Sequence, residues 1–245
     1  MDALNAAPIR LLGVDFDDLA LDEVVTRVLA RAEGTEFGYV VTPNVDHLER
    51  LGRIAALGPV YQQAMLCLLD SRFLEIFAHR LGRRTPPVVT GADLTQALLA
   101  RLTGRRVAVV GMSGRGFAAL VARYPGIRFV HHAPPMGLLH DVPALLGARD
   151  FVRDARAVVT FFAVGSPVQE VLAYAVAAQG AAAGVGLCVG AALEFCAGTA
   201  RRAPLWIRRA GLEWLYRLGR EPGRLAGRYL LSDPKVFWAL LREGR

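Results

Sequence analysis

An aspartate stands at the end of a short apolar run in this chain. Residues 66–69, Leu-Cys-Leu-Leu, predict a buried strand, and Asp70 follows it directly. A carboxylate at the carboxyl end of a strand is able to take the proton from an incoming hydroxyl group. An aspartate also caps helices, and a helix is expected over the segment from Arg72 to Leu81. The residues alone support both roles of Asp70 equally.

Two more polar side chains follow another predicted strand. Thr42 ends the apolar run that starts at Tyr39, and Asn44 precedes a helix predicted over 45–57. Their hydroxyl and amide groups are able to bind a sugar. A plain helix N-cap is the alternative, and the residues alone favour it.

A glutamine lies beside a sharp turn later in the chain. The turn Gly165-Ser166-Pro167 follows an apolar run that predicts a strand over 157–164. Gln169 then opens a helix predicted over about 168–179. An uncharged amide in this place suits hydrogen bonds to hydroxyl groups.

A glycine-rich turn follows a further predicted strand. The apolar run over 107–110 ends at Gly111, and the sequence continues Met-Ser-Gly-Arg-Gly as far as Gly116. Such a turn at the start of a helix is able to cradle a phosphate group. Its glycine spacing matches neither a P-loop nor the dinucleotide-binding fingerprint, which argues against a nucleotide-dependent oxidoreductase. The turn therefore indicates a nucleotide or phosphate near Gly111.

Two patterns have the form of metal sites, but neither predicts one. Asp15-Phe16-Asp17 has the aspartate-x-aspartate form found in many sugar-nucleotide enzymes, yet it precedes every predicted core strand, so a surface turn is favoured. His131 and His132 are neighbours on a predicted strand, and their side chains should point to opposite faces. The three cysteines lack metal-type spacing and are expected to be buried, reduced thiols.

The predicted strands alternate with helices, which implies an α/β fold with a parallel sheet covered on both faces. In such sheets ligands bind beyond the carboxyl ends of the strands. The candidate positions are therefore those that follow strands: Thr42–Asn44, Asp70–Arg72, Gly111–Gly114, Gly165–Pro167 and Gly190.

One uncharged segment, from Val171 to Leu193, is long enough to cross a bilayer. It is rich in alanine and is interrupted by Gln179, Gly180 and Gly184, so a short helix, a turn and a buried strand at about 185–190 fit better. The first residues also lack the pattern of a signal peptide, which predicts a cytosolic protein.

The net charge lies in the last stretch of the chain. Residues 201–245 hold eleven Arg and Lys and four Asp and Glu, a balance of +7 that equals the charge of the whole chain. The stretch also carries Trp206, Trp214 and Tyr216, and it suits an anionic partner such as a membrane surface, pyrophosphate or nucleic acid. We expect a globular core over 1–198 and a basic, aromatic helical appendage over 199–245.

Taken in chain order, these segments resemble those of the WecG/TagA/CpsF bacterial glycosyltransferases, glycosyltransferase family 26. The resemblance spans about residues 10 to 230, and its most specific part is Arg202-Ala-Pro followed by Gly211-Leu-Glu-Trp-Leu-Tyr-Arg-Leu. The other matching segments are Thr42–Asn44, Asp70, Val89–Leu94, Tyr124–Gly126, Gly165–Glu170 and Val189–Phe195.

The resemblance implies a Rossmann-like sheet and inverting transfer of a sugar from a UDP-sugar to a polyprenyl-diphosphate-linked saccharide. It implies a cytoplasmic enzyme bound peripherally to the inner face of the plasma membrane, in the synthesis of exopolysaccharide or another cell-surface polysaccharide. It implies no metal and no other cofactor. Nucleic acid is not an expected partner, and association of identical copies stays open.

The same resemblance assigns roles to residues. Asp70 is the catalytic base, with Thr42, Asn44 and Gln169 beside it in the pocket. From their places at the strand ends, we expect Gly111, Gly165, Gly190 and Glu194 to bind UDP on the donor side. The acceptor diphosphate is assigned to Arg217, Arg220 and Arg224.

Three departures from the family pattern leave the donor sugar open. Ser71, followed by Arg72, replaces the usual glycine, Glu194 replaces the usual aspartate, and the loop 133–137 replaces a segment that contains Gly-Tyr. Glucose or glucuronic acid is as compatible with the sequence as N-acetylmannosamine. The alternative to an enzyme is a non-catalytic protein that binds a membrane or nucleic acid through its basic tail.

Overall fold

A six-stranded parallel sheet forms the centre of the protein. The computed structural model describes residues 7–220, 223 and 234–242, without the side chains of residues 217, 234 and 235. The strands of the sheet are Gly38–Val41 (β3), Leu66–Cys67 (β4), Arg106–Gly111 (β5), Arg128–His132 (β6), Val159–Ala163 (β7) and Val185–Cys188 (β8). They lie in the order β4-β3-β8-β7-β5-β6, and all neighbours are parallel. The predicted α/β class and Rossmann-like sheet are confirmed.

A small antiparallel hairpin, Ile9–Leu11 (β1) and Val14–Phe16 (β2), precedes the sheet. Its second strand contains part of the Asp-Phe-Asp pattern, for which a surface turn was the favoured expectation. That expectation is wrong: Phe16 is fully buried in the core, and the Asp17 carboxylate accepts a 2.7 Å hydrogen bond from the Cys67 amide. The pattern therefore anchors the hairpin to β4.

Helices cover both faces of the sheet. Those of the chain up to residue 197 are Leu21–Ala32 (α1), Val45–Arg53 (α2), Gly58–Gln62 (α3), Arg72–Arg80 (α4), Gly91–Leu99 (α5), Gly114–Arg123 (α6), Val142–Ala155 (α7), Val168–Gln179 (α8) and Ala192–Ala197 (α9). Short 3-10 turns occupy Ala55–Leu57 and Leu138–His140. The helix predicted over 45–57 ends at Arg53 because Ile54 leaves the helical region, with φ −120° and ψ 88°.

The strands are apolar on both sides because both sides are covered. Tyr39 and Val41 of β3 pack into one cluster with α2, α3, α7 and α8, whereas Val40 packs into the other with α1, α5, α6 and α9. Phe161 and Phe162 of β7 are divided between the two clusters in the same way. The buried cysteines Cys67, Cys188 and Cys196 are free thiols, as predicted.

The neighbouring strands β3 and β8 send the chain to opposite faces of the sheet. The chain leaves β3 into α2 on one face, and it leaves β8 into α9 on the other. A crevice opens between neighbouring strands where such a reversal occurs, and it is the usual ligand site of an open parallel sheet. The residues that follow these strands, Thr42 and Gly190, therefore meet at the edge where a ligand is expected.

The basic appendage contributes three described helices: Leu205–Arg209 (α10), Glu213–Arg220 (α11) and Pro234–Arg242 (α12). Val236 and Leu240 of α12 are buried in the same cluster as β3. A Cβ atom added to Gly211 would lie 3.2 Å from the Phe73 backbone, so the chain before α11 lies directly on α4. The division at 198 into core and appendage stays a prediction, but the two parts share one apolar core.

The uncharged segment from Val171 to Leu193 forms most of α8, a glycine turn, β8 and the start of α9, close to the expected helix, turn and strand. Within the part of the chain that the structure describes, no helix has the length and apolarity needed to span a membrane.

Candidate active site

A cleft of about 1020 Å³ opens at the carboxyl edge of the sheet. The loops after β3, β4, β7 and β8 form its floor, and α10, α11 and α12 stand over it. The predicted site residues that line the cleft are Thr42, Asn44, Asp70, Gly165, Gln169, Gly190 and Glu194. These residues are far apart in the chain and are brought together because parallel strands end at one edge.

Asp70 lies at the floor of the cleft and does not cap α4. Ser71 fills that role, since its hydroxyl oxygen accepts a 3.1 Å hydrogen bond from the Leu74 amide. The Asp70 carboxylate instead accepts a 3.1 Å hydrogen bond from the Gly91 amide at the start of α5. A Cβ atom at Gly91 would lie 3.1 Å from the Thr42 hydroxyl oxygen, so a residue without a side chain suits this close approach.

The surroundings of Asp70 make its carboxylate more basic than usual. Burial raises the pKa of Asp70 to about 7, partly opposed by the Gly91 hydrogen bond; Glu213 raises this pKa further, and Arg202 and His47 lower it. A carboxyl group with a pKa near neutrality is well suited to accept a proton from a hydroxyl group. The floor of the cleft therefore holds a candidate general base.

Gln169 and Thr42 hold the loops of the floor in place. The Gln169 side-chain oxygen accepts a 3.0 Å hydrogen bond from the Gly190 amide, and its amide group donates a 2.8 Å bond to Glu170. The Thr42 hydroxyl donates to the Cys188 carbonyl oxygen at 3.3 Å. Gly190 has a φ of +54°, a conformation that favours glycine. These bonds join the ends of β3, β8 and the start of α8.

Asn44 caps α2, the alternative that its position in the sequence favoured. Its side-chain oxygen accepts hydrogen bonds from the Asp46 and His47 amides and lies 2.7 Å from the His47 Nδ1 atom. The other ring nitrogen of His47 lies 3.5 Å from a carboxylate oxygen of Glu170. Burial by itself would raise the pKa of Glu170, but hydrogen bonds from His47 and Gln169 bring that pKa below its ordinary value. His47 lines the cleft and was not identified from the sequence.

Arg202 is the other important residue that the sequence analysis missed as a site residue. Its guanidinium group donates to Asp93 at 2.5 Å and to the Thr90 hydroxyl at 2.9 Å, and its Nε atom lies 3.5 Å from Glu213. Burial raises the pKa of Asp93, but the bonds from Arg202 and Thr90 outweigh it and hold that pKa below its ordinary value. Arg202 therefore ties the appendage to the start of α5, next to Asp70. The sequence pointed to Arg202 only through the Arg202-Ala-Pro segment, which is part of the resemblance to the family.

Aromatic side chains form the mouth of the cleft. The Phe73 ring lies 5.8 Å from the Trp214 ring and 5.1 Å from the Phe237 ring, measured between centroids. Trp238 and Leu241 of α12 also line the cleft, with 65% and 43% of their surfaces exposed. The appendage thus supplies an apolar wall above a polar floor.

Gly111 lies outside the lining of the cleft. With a φ of +96°, a Cβ atom at this position would lie 2.7 Å from the Ala163 backbone, so Gly111 allows β5 and β7 to approach closely. The nearby start of α6 is capped by Ser113, and a Cβ atom at Gly116 would lie 3.0 Å from the Glu194 carboxylate. The donor contact assigned to Gly111 stays a prediction.

Of the three arginines assigned to the acceptor diphosphate, the structure describes the side chain of Arg220. Arg220 is exposed outside the lining of the cleft, and its guanidinium group donates to the Tyr216 hydroxyl at 3.1 Å. The side chain of Arg217 and the whole of Arg224 lie outside the described residues. Their role in acceptor binding stays a prediction.

The two adjacent histidines point to opposite faces of β6, as predicted. His131 stacks on Phe117 of α6 at 4.2 Å, and His132 stacks on Phe151 of α7 at 5.2 Å. Among the residues that the structure describes, no group of three or more His, Cys, Asp or Glu side chains is arranged to hold a metal ion.

The family model "Glycosyl transferase WecG/TagA/CpsF family" matches residues 9–245 of the chain. The chain belongs to this family. The predicted resemblance is thereby confirmed, and the protein is a glycosyltransferase that transfers a hexosyl group.

Three relatives of this glycosyltransferase come from Staphylococcus aureus. The protein of strain MW2 is 27% identical over 249 residues, which cover 98% of this chain and 95% of the relative. The proteins of strains NCTC 8325 / PS 47 and MRSA252 are 27% and 28% identical over 221 residues. All three are named N-acetylglucosaminyldiphosphoundecaprenol N-acetyl-beta-D-mannosaminyltransferase.

Proposed function

We propose that this glycosyltransferase moves a hexosyl group from a UDP-sugar, with inversion, onto a saccharide linked to polyprenyl diphosphate. The observation that carries the proposal is Asp70, a carboxyl group with a pKa of about 7 at the floor of a large cleft. The same cleft is apolar and aromatic at its mouth. A sugar acceptor joined to a lipid needs both surfaces in one site.

The transfer consists of one displacement. The acceptor hydroxyl oxygen attacks the anomeric carbon of the donor while Asp70 takes the hydroxyl proton. The bond between that carbon and the UDP oxygen breaks, and its electron pair stays on the diphosphate. Attack from the side opposite the leaving group inverts the configuration of the sugar.

The departing diphosphate needs compensation for its developing charge. The first turn of α8 follows Gly165 at the cleft, and helix N-termini favour anions. Arginines that line the cleft add positive charge: Arg72, Arg202, Arg208 and Arg209. A hydrogen bond from such a group to an anion contributes about 1.5–3 kcal/mol. We propose that these groups act without a metal ion.

The relatives support a lipid-linked acceptor, because their name specifies N-acetylglucosamine on diphosphoundecaprenol. Their name also specifies transfer of an N-acetylmannosaminyl group. For this chain the donor sugar stays open, because Ser71, Arg72 and Glu194 lie at the cleft and differ from the family pattern.

Apolar side chains exposed on the appendage support peripheral binding to the inner face of the plasma membrane. Leu205, Trp206 and Leu215 are each about half or more exposed, at 50%, 69% and 49%. Exposed arginines stand among them, including Arg201, Arg209 and Arg220. Indole rings and cations together suit the headgroup region of an anionic bilayer.

The test is a transfer assay with a panel of UDP-sugars, including those of N-acetylmannosamine, glucose and glucuronic acid. Acceptors are N-acetylglucosamine and short saccharides on polyprenyl diphosphate, and products are identified by mass spectrometry. We expect transfer from one donor and loss of transfer in Asp70→Asn. Binding to vesicles or nucleic acid, without transfer from any donor or affinity for UDP, would support the non-catalytic alternative instead.

A further inference from the structure

A connected set of polar side chains runs under the floor of the cleft, from the start of α2 to the end of β8. Its members, in the order in which they contact one another, are Asn44, His47, Glu170, Gln169 and Gly190. Four of them line the cleft, whereas Glu170 is 1% exposed and is not part of the lining. The proposed reaction assigns no role to His47 or Glu170.

The two ring nitrogens of His47 each face an oxygen that accepts hydrogen bonds. Nδ1 lies 2.7 Å from the Asn44 side-chain oxygen, and Nε2 lies 3.5 Å from a carboxylate oxygen of Glu170. The backbone amide of Asn44 is farther from Nδ1, at 3.4 Å. A neutral imidazole has a proton on one nitrogen only, so it would turn a lone pair toward one of these two oxygens. The imidazolium, with a proton on both nitrogens, fits both contacts.

Glu170 needs the charge of His47. One of its carboxylate oxygens accepts a 2.8 Å hydrogen bond from Gln169 and faces His47, and the other is buried without a hydrogen-bond partner. A buried carboxylate that keeps its charge needs a cation in contact with it. Of the basic residues that the structure describes, His47 forms the ion pair with Glu170.

The next basic group along α2 is already paired. Arg50 donates to Asp46 at 2.8 Å and to the Ser166 hydroxyl at 2.8 Å. Tyr61 of α3 also lies near Glu170, and burial raises the pKa of its hydroxyl, so this group is neutral. The compensation of Glu170 therefore comes from the imidazolium.

The charge of His47 also reaches the proposed base. Burial raises the pKa of Asp70 to about 7, and His47 opposes that shift. The other charged groups that act on Asp70 belong to the appendage, since Glu213 raises this pKa and Arg202 lowers it. His47 is thus the charge on the sheet side of the cleft that favours the ionised form of Asp70.

The contacts of His47 also fix the direction of the Asn44 side chain. The Asn44 oxygen accepts hydrogen bonds from the Asp46 and His47 backbone amides and from the ring of His47, so it is turned toward α2. The side-chain nitrogen of Asn44 has no hydrogen-bond partner among the residues that the structure describes, and Asn44 lines the cleft. An amide nitrogen donates hydrogen bonds and accepts none. This nitrogen therefore suits an oxygen of a bound substrate.

We infer that His47 is a positioning residue of the transfer reaction, held as an imidazolium by Glu170. It keeps the Asn44 nitrogen directed toward a substrate oxygen in the cleft, and it supplies a positive charge near Asp70. Glu170 acts one step farther from the substrate, because it holds both His47 and Gln169. This inference rests on the proposed function.

The first test compares His47→Gln with the unaltered full chain in the transfer assay. The uncharged side chain cannot oppose the effect of burial on Asp70, so the acid limb of the kcat/KM profile should move to higher pH by about 0.5–1, which is about threefold to tenfold in kcat/KM on that limb. Above the limb, kcat should fall more than KM rises, because Asn44 is bound less firmly. His140→Gln, which removes an exposed histidine outside the cleft, is the matched control and should leave the profile unchanged.

A double variant separates positioning from folding. His47→Gln leaves the Glu170 carboxylate buried without its cation, so the thermal midpoint should fall. His47→Gln combined with Glu170→Gln removes that charge too and should restore most of the midpoint, while the acid limb stays displaced and kcat stays low. If activity returns together with stability, or if the acid limb of both variants coincides with that of the unaltered protein, His47 serves folding alone and the inference is wrong.

Nitrogen NMR of isotope-labelled histidine rings at about pH 7 tests the inference without transfer. The two nitrogens of an imidazolium have similar chemical shifts, whereas those of a neutral ring differ widely, and the signal absent from His47→Gln identifies the residue. We expect the imidazolium pattern in the unaltered protein and the neutral pattern in Glu170→Gln. A neutral His47 in an active, unaltered protein would refute the inference and leave the proposed function intact. An imidazolium that depends on Glu170, together with no transfer from any UDP-sugar, would uphold the arrangement and refute the proposed reaction.

Discussion

The floor and the mouth of the cleft are built in different ways. At the floor, Asp70, Gln169 and Thr42 each form a hydrogen bond to backbone at the end of a strand or the start of a helix. At the mouth, the contacts are between rings, and Trp238 is more exposed than buried. Directional bonds fix atoms to within a few tenths of an ångström, whereas apolar contacts tolerate sliding. A fixed floor suits chemistry, and an adaptable mouth suits a flexible lipid.

Removing residues 199–245 leaves the floor of the cleft without its mouth, and it should lower transfer activity more than any other change. We expect complete loss of transfer, because Arg202 and the aromatic wall are removed together. We also expect a lower thermal midpoint, because Val236 and Leu240 fill the core beside α2 and α4. Calorimetry and the transfer assay measure the two effects. A truncated chain with undiminished activity would show that the floor works alone.

Asp70→Asn tests the floor by itself and should lower kcat by about two to four orders of magnitude, the usual contribution of a general base. UDP binding should persist, because the change keeps the shape of the side chain. Single-turnover kinetics and UDP titration measure the two effects. Near-normal turnover would remove Asp70 from the mechanism.

The pKa of Asp70 predicts opposite pH dependences of activity and stability. The base must be ionised, so kcat/KM should rise with pH and level off above about 7. Because this pKa is raised in the folded state, the folded protein holds a proton that the unfolded chain loses near pH 4. The contribution of Asp70 to stability should therefore fall as pH rises from about 4 to 7. Asp70→Asn should then raise the thermal midpoint more at pH 8 than at pH 5.

Two charges of the appendage act on Asp70 and should shift the acid limb of the pH profile in opposite directions. Glu213 raises the pKa of Asp70, so Glu213→Gln should move that limb to lower pH. Arg202 lowers this pKa, so Arg202→Gln should move the limb to higher pH. If the kcat/KM profiles of both variants coincide with that of the unaltered protein, these two charges of the appendage do not influence Asp70.

Trp206→Ala should have the smallest effect, because the ring is exposed outside the cleft. We expect binding to vesicles that contain anionic lipid to weaken about threefold to tenfold, since an interfacial indole supplies apolar contact area. Co-sedimentation with vesicles measures this effect, and UDP affinity should not change. Val121→Ala, which removes an exposed apolar side chain of α6, is the matched control.

Local sequence patterns were sufficient to predict the main helices and strands and the edge of the sheet that carries the candidate active site. The helix at 168–179 has the bounds that its turn and apolar pattern predicted, and Asp70 lies at the end of its strand as expected. The two roles proposed for Asp70 could not be distinguished, since both require only that it follow a strand. The structure excludes the capping role, because Ser71 caps α4 and the Asp70 carboxylate accepts a hydrogen bond from Gly91, 21 residues away.

The sequence by itself determined the alternation of strands and helices, the polar residues at strand ends and the basic, aromatic character of the tail. Each of these depends on residue types within a few positions of one another. Only the tertiary structure decided that Arg202 meets Asp93, 109 residues earlier, and that α12 fills the core. Such contacts depend on which surfaces the whole chain brings together. For the same reason, burial at the meeting point of β3, β4 and α5 raises the pKa of Asp70, and no local pattern in the sequence encodes that environment.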